Sequence, residues 1–194
     1  MALPIAHWSV VAGLLDGHSR KALVLAACLS ILPDFDFLLV WGLGWPVSSY
    51  HRTFSHSLAF AALITMAYTL VTASQRRLLS PWACFVAVSS HPLLDLLCTA
   101  NAADHGIMVF WPLSRERLGW PVLVPLYRLL APSPFSLTGA LRFTLLEVLI
   151  SPLLWGTGLA VQKVLRRLSL GLAIPASQQK ESSPGDPPER QEVL

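Results

Sequence analysis

Long apolar runs alternate with short polar breaks along most of this chain, and the runs have the length of membrane helices or half-helices. They are residues 5–15, 22–33, 37–47, 57–73, 78–98 and about 143–161. A hydrocarbon core of about 30 Å needs roughly 20 apolar residues in a helix. Residues 57–73 are the clearest spanning candidate, whereas residues 5–15 are too short to span. The pattern predicts an all-α integral membrane bundle of about four long helices plus shorter half-helices.

The composition supports a membrane protein over a soluble one. Hydrophobic residues make up 54% of the 194 residues and charged residues only 13%, with a mean hydropathy of +0.56. A soluble domain carries about 25% charged residues to cover its surface. From Pro175 the sequence becomes polar and proline-rich, as in disordered chains. We therefore predict a membrane domain over 1–174 and a disordered tail over 175–194.

The basic residues predict an orientation. The net charge is +3, but no single segment concentrates the positive charge, so nucleic acid is not an expected partner. Nine of the 14 Lys and Arg residues fall at segment ends that simple threading places on one face, or in the tail. They are Arg20, Lys21, Arg76, Arg77, Lys163, Arg166, Arg167, Lys180 and Arg190. Because cytoplasmic ends attract Lys and Arg, this face and the tail are predicted to be cytoplasmic.

Ionisable side chains at membrane depth are costly and point to function. The strongest pair is His91 and Asp95, which are four residues apart and therefore share one face of a helix. Together they can bind a metal ion, although a hydrogen bond or a helix cap would also explain them.

His51, Arg52 and His56 precede the clearest spanning helix. Both histidines can reach one site if the first lies in the turn and the second in the opening helical turn. Arg52 can bind a phosphate through two hydrogen bonds. In the alternative interpretation Ser55 or Ser57 caps the helix and the histidines are interfacial.

Three further residues are candidate ligands on the same side. Asp34 and Asp36 lie between two apolar runs, where one of them can cap a helix but two favour metal. His7 is near the start of the first run and is either a ligand or an interfacial residue. His105 is a weaker candidate, whereas His18 is predicted to be an ordinary surface residue.

Threading brings these elements to one end of the bundle, opposite the basic ends. Histidine and aspartate ligands without cysteine favour zinc, with manganese or iron as alternatives, in a catalytic site. The three cysteines are far apart in apolar runs and form no metal motif. The number of candidate ligands allows one to three ions. Sites of that kind activate water and stabilise a phosphoryl displacement.

The ordered set of motifs resembles the YdjM-like family of inner-membrane, metal-dependent hydrolases, which is also described as LexA-binding. The resemblance covers roughly residues 5–120. It rests on His7, Leu32-Pro33-Asp34-Phe35-Asp36, His51-Arg52-Thr53-Phe54-Ser55-His56-Ser57, His91-Pro92-Leu93-Leu94-Asp95, Gly106 and Trp111-Pro112-Leu113-Ser114. The spacing to Gly106 departs from the usual family form.

That family is distantly similar to zinc-dependent phospholipase C and single-strand nucleases. The similarity implies metal ligation by His51 or His56, His91, Asp95 and one of Asp34 and Asp36, and a phosphate ester as substrate. We expect a phosphoesterase in the inner membrane, with its metal site on the non-cytoplasmic side and a lipid as a possible substrate. Arg52 would hold the phosphate, and Asp34 or Asp36 would act as general base.

The competing hypothesis is a non-catalytic membrane protein. A metal-ion carrier would need polar residues along a path through the bilayer, whereas here they cluster at one end. A scaffold that tethers a regulator would need an exposed partner surface, for which the tail after Pro175 is the candidate.

Overall fold

The chain is helical throughout most of the residues that can be described. A computed structural model describes residues 4–99, 106–125 and 137–167. Its α-helices are α1 (Pro4–Leu14), α2 (Arg20–Ile31), α3 (Asp36–Gly42), α4 (Val47–Tyr50), α5 (Leu58–Val71), α6 (Pro81–Leu97) and α7 (Leu137–Arg167). The only β-pairing in these ranges is an isolated bridge between Ile107 and Leu118. The predicted all-α class is confirmed.

Serine caps fix where three of the helices begin. Ser19, Ser57 and Ser80 have extended backbone conformations and accept a hydrogen bond from the backbone N–H three residues further on. This is the usual arrangement of an N-cap, which satisfies one of the free donors of the first helical turn. Ser57, rather than Ser55, is therefore the N-cap of α5, which begins at Leu58.

A short 3₁₀ turn joins α2 to α3 and carries the first pair of aspartates. It covers Leu32–Phe35, with Pro33 in its first half, and α3 continues directly from Asp36. The three elements form one apolar helical segment, Arg20–Gly42, whose most apolar 18-residue window has a mean hydropathy of 2.1. The interruption predicted at the aspartates is thus a tightening of the helix and not a break.

Two helical segments in the described residues are long and apolar enough to cross a membrane, Arg20–Gly42 and Thr144–Arg167. The clearest candidate from the sequence, residues 57–73, forms only the 14 residues of α5, which are about 21 Å long. Residues 78–98 give the 17-residue α6, about 25 Å long. The prediction of about four long helices is not confirmed, because capping and turn residues shorten both apolar runs.

Helix α1 packs directly against α7 at a pair of glycines. A Cβ atom on Gly13 would lie 2.1 Å from the Trp155 carbonyl oxygen, and one on Gly158 would lie 2.3 Å from the Val10 carbonyl oxygen. Small residues of this kind let two helix backbones approach closely in a membrane. The position of α1, and therefore of His7, depends on this crossing.

Side chains of α7 also bind the backbone at both ends of α1. Near its start, the Ala6 N–H donates to Glu147 Oε2 at 3.4 Å. Just beyond its end, the Asp16 carbonyl accepts hydrogen bonds from Gln162 at 2.9 Å and Arg166 at 3.3 Å. Terminal backbone groups of a helix have no partner within the helix, so α7 supplies partners that lipid cannot.

The basic segment ends meet at one end of the bundle, as the sequence predicted. Leu15, Ala22, Leu79 and Ala83 share one core cluster, against which Leu165 packs. His18 lies at this end but is buried, with its Nδ1 atom 2.9 Å from the Leu15 carbonyl oxygen. The prediction that His18 is a surface residue is wrong, because the turn after α1 folds against α7.

Residues 99–142, which separate the last two apolar runs, are described only in part. Residues 106–125 fold over the opposite end of the bundle. Their backbone forms hydrogen bonds with the backbone of Leu58 at the start of α5 and with that of Leu96 and Leu97 at the end of α6. His105 and the predicted tail 175–194 lie outside the described residues, as does the predicted domain boundary at 174.

Candidate metal centre

Seven side chains predicted as metal ligands meet at the end of the bundle opposite the basic end. His7 comes from α1, His91 and Asp95 from α6, and Asp34 and Asp36 from the 3₁₀ turn and the start of α3. His51 and His56 come from the segment between α4 and α5. Residues up to 88 positions apart in sequence are brought together, so the predicted convergence is observed.

His7, His91 and Asp95 form the first of two groups that could hold a metal ion, here called the inner group. One nitrogen or oxygen atom from each residue lies within 4.8 Å of the others. All three residues are at most 2% exposed. The rings of His7 and His91 are stacked with their centroids 3.9 Å apart.

Asp34, His51 and His56 form the outer group, by the same 4.8 Å criterion. The side chain of Asp34 is 31% exposed, so this group is open to the surroundings. The two groups are adjacent, since His91 Nε2 lies 3.3 Å from Asp34 Oδ1 and His56 Nε2 lies 3.9 Å from Asp95 Oδ2. Asp34 is therefore placed where it could contact ions in both groups.

The Nε2 atoms of all four histidines are buried and have no hydrogen-bond partner among the described residues. Asp34 Oδ1 is 3.4 Å from His56 Nε2 and 3.3 Å from His91 Nε2, longer than ordinary N–H···O hydrogen bonds. Two ligands of one tetrahedral zinc ion, each about 2.1 Å from it, are separated by roughly 3.4 Å. The spacing fits ligands around a cation better than a set of hydrogen bonds.

The opposite nitrogen of three of these rings is anchored. His91 Nδ1 lies 2.7 Å from the Ser30 carbonyl oxygen, and His51 Nδ1 lies 2.7 Å from Asp36 Oδ1. Ser55 donates to Asp36 Oδ2, and its oxygen lies 3.0 Å from His56 Nδ1. A carbonyl or carboxylate can only accept, so Nδ1 of His91 and His51 carries a proton, and in the neutral ring the lone pair is at Nε2. Metal-binding histidines are usually oriented in this way.

These contacts distinguish the two aspartates that the sequence could not separate. Both Asp36 oxygens already receive hydrogen bonds, from His51 and Ser55, whereas Asp34 Oδ1 faces two free Nε2 atoms. Asp36 accordingly orients the histidines from the Nδ1 side, and Asp34 lies next to their unpartnered Nε2 atoms.

Arg52 forms a buried ion pair in the structure. Its Nη2 atom lies 3.0 Å from Asp95 Oδ2, and Nη1 donates to Thr99 Oγ1 at 3.4 Å. Its backbone has a φ of 63°, which is uncommon outside glycine, and its carbonyl accepts a hydrogen bond from Met108. The phosphate contact predicted for Arg52 remains a prediction.

Burial keeps the histidine beside α5 neutral. Desolvation lowers the pKa of His56 below the usual value of 6.5, although nearby Asp34 opposes this shift. A neutral imidazole is the form that binds metal. His56 is thus a competent ligand at neutral pH.

Ser30, Thr99 and Glu147 contribute to the site or its support and were not predicted from the sequence. Ser30 acts through its backbone carbonyl, for which no sequence signal exists. Thr99 follows Asp95 by four residues and donates to its carbonyl oxygen at 2.8 Å. Glu147 is fully buried in the last apolar run. A lone acidic residue in such a run is costly and could have been recognised from the sequence as a candidate.

The comparisons with known proteins identify a family and nothing finer. No curated protein and no solved structure gives a significant match to the chain. The similarity to zinc-dependent phospholipase C and single-strand nucleases therefore remains a prediction. The family described as YdjM inner membrane protein matches residues 1–165. Together with the two apolar segments long enough to span, this match makes the chain a member of the YdjM inner membrane protein family.

Proposed function

We propose that this protein is a membrane-bound, metal-dependent hydrolase of phosphate esters. The observation that carries the proposal is the set of four buried Nε2 atoms around Asp34 and Asp95, three of which belong to rings anchored at Nδ1. Buried polar nitrogens normally have hydrogen-bond partners, so four Nε2 atoms that converge on two carboxylates and have no partner in the described part of the chain favour a cation site.

The proposed ligands are His7, His91 and Asp95 for an inner ion and Asp34, His51 and His56 for an outer one. Nitrogen and carboxylate donors fit zinc best, and manganese or iron would also be accepted. When bound, such ions supply Lewis acidity and lower the pKa of a coordinated water.

The protein's own groups orient these ligands and control access. Asp36 accepts a hydrogen bond from the Nδ1–H group of His51 and so would direct Nε2 toward the proposed ion. The Ser30 carbonyl does the same for His91. Substrate would approach over Asp34, the most exposed of the ligand side chains, and the Arg52 guanidinium would attract its phosphate. We further propose that this end faces the non-cytoplasmic side and that the basic end and the C-terminus are cytoplasmic.

The test is metal content together with hydrolysis by the full-length protein in detergent. We expect at least one equivalent of transition metal and cleavage of bis(p-nitrophenyl) phosphate. His91→Ala and His56→Ala should lose both. His18→Ala is the matched control, because His18 is also a buried histidine but lies at the opposite end of the bundle.

Less than one equivalent of metal in the purified protein, with activity unchanged in His91→Ala, would contradict the proposal. Retention of metal without any cleavage would remove hydrolysis but leave the metal centre in place.

A further inference from the structure

An apolar groove opens directly beside the candidate metal centre. It has a volume of about 400 Å³ and lies between the Leu32–Phe35 turn with α3 on one side and the start of α5 on the other. Its apolar walls come from residues on both sides: Phe35, Leu38, Leu39, Phe54 and Phe60.

The groove is open along its side. Leu38 and Leu39 are 56% and 61% exposed, although they belong to the apolar segment Arg20–Gly42 that is long enough to cross the membrane. Exposed leucines on such a segment face hydrocarbon. With this segment in a bilayer, the groove would therefore be open laterally to the hydrocarbon.

The groove shares residues with the side chains that orient the candidate metal ligands. Asp36 and Ser55 line it, and these two residues hold His51 and His56. Pro33 and Phe35, which flank the candidate ligand Asp34, line it as well. A chain lying in this groove would end within one or two residues of the outer ligand group.

A second groove provides a contrast. It is larger, about 570 Å³, and lies between α1 and α2, where Val24 and Cys28 contribute to its wall. None of the predicted ligands lines it. Any preference for lipid that reflects general contact with the bilayer should appear in both grooves, whereas a substrate chain should occupy only the smaller one.

We infer that the groove between α3 and α5 binds the hydrocarbon chain of the substrate, so that the substrate is a phosphate ester of a long-chain lipid. This inference rests on the proposed function and adds the substrate class to it. The phosphate would lie at the outer group, and the chain would extend along Phe54, Leu38 and Leu39.

The first experiment compares two phosphodiesters with the same leaving group, p-nitrophenyl hexadecyl phosphate and p-nitrophenyl ethyl phosphate. For the metal-loaded protein in detergent we expect kcat/KM to favour the hexadecyl ester at least tenfold. Leu39→Trp, which fills the groove, should reduce this ratio to near one. Val24→Trp in the larger groove is the control and should leave the ratio unchanged.

The second experiment does not depend on turnover. A hexadecyl phosphate bearing a photoreactive diazirine at mid-chain is irradiated with the metal-free or metal-loaded protein, and the labelled residues are mapped. Labelling is expected in residues 35–39 and 54–60, and it should be suppressed by Leu39→Trp but not by Val24→Trp.

Equal labelling of both grooves, or labelling insensitive to Leu39→Trp, would overturn the inference. Cleavage of the ethyl ester with no chain-length preference would also overturn it while leaving the proposed function intact. Groove-specific labelling in a protein that cleaves neither ester would contradict the proposed hydrolysis but keep the lipid-chain site.

Discussion

The inner and outer ligand groups differ in charge and in access. In the inner group, Asp95 pairs at 3.0 Å with Arg52, so the local charges cancel before any cation binds. At the outer group, both Asp34 and the supporting Asp36 behind His51 are paired only with histidines in the described ion pairs. Asp34 is 31% exposed, whereas the inner group is almost fully buried.

The difference indicates an order of binding. A divalent cation in the outer group would be balanced by Asp34 and by the nearby carboxylate of Asp36, whereas one in the inner group would add charge to a site that Arg52 has already neutralised. An uncompensated buried charge is strongly unfavourable. We therefore expect a tight outer ion that faces substrate and a weaker inner ion.

The largest effect is expected from Asp34→Asn, which should abolish the difference in zinc affinity between the outer and inner groups. It removes the carboxylate between two free Nε2 atoms, so the affinity for the first zinc equivalent should fall by more than about 100-fold, beyond the usual loss for an outer-shell partner. Zinc titration of the detergent-solubilised protein measures this. Asp16→Asn, at the basic end, is the control and should bind zinc normally. An unchanged first equivalent in Asp34→Asn would refute the assignment of the tight site.

A smaller effect is expected from Asp36→Asn, because Asp36 orients His51 and does not itself face the free nitrogens. Loss of such a support typically costs 10–100-fold in metal affinity. The same titration should show that the affinity for the first zinc equivalent falls within that range and that the affinity for the second is little changed. A loss as large as that of Asp34→Asn would instead make Asp36 a ligand.

The smallest effect on the outer ion is expected from Gly13→Val, which acts on the inner group through α1. The added side chain would collide with the α7 backbone, displace His7, and cost about 1–3 kcal/mol of stability. Thermal unfolding and zinc titration should show lower stability and a weaker second equivalent. Gly42→Val, where a Cβ has open space, is the control. Selective loss of the first equivalent would contradict the division into two groups.

The sequence was sufficient for the fold class and for the convergence of the site, because both follow from patterns along the chain. Apolar runs and basic ends constrain the threading, and His91 and Asp95 share a helix face by spacing alone. Helix lengths were predicted less well. Whether an apolar residue belongs to a helix or to its cap depends on single hydrogen bonds, such as that of Ser57 with Phe60.

The roles within the site could not be derived from the sequence. Asp34 and Asp36 are equivalent in composition and context, and only the 3₁₀ turn determines which of them meets His51. The pairing of Arg52 with Asp95 joins residues 43 positions apart and requires a positive φ at an arginine, which no pattern indicates.

The attachment of α1 to α7 has a consequence for biogenesis. The partners of α1, Glu147 and Arg166, follow it by 141 and 150 residues. At a synthesis rate of 5–20 residues per second, they appear roughly 7 to 30 s after α1 itself. Because α1 is too short to span and its terminal backbone groups need these partners, we expect it to reach its final depth only after α7 has been translated. His7 would then be the last ligand to arrive, so the inner group would be completed at the end of synthesis.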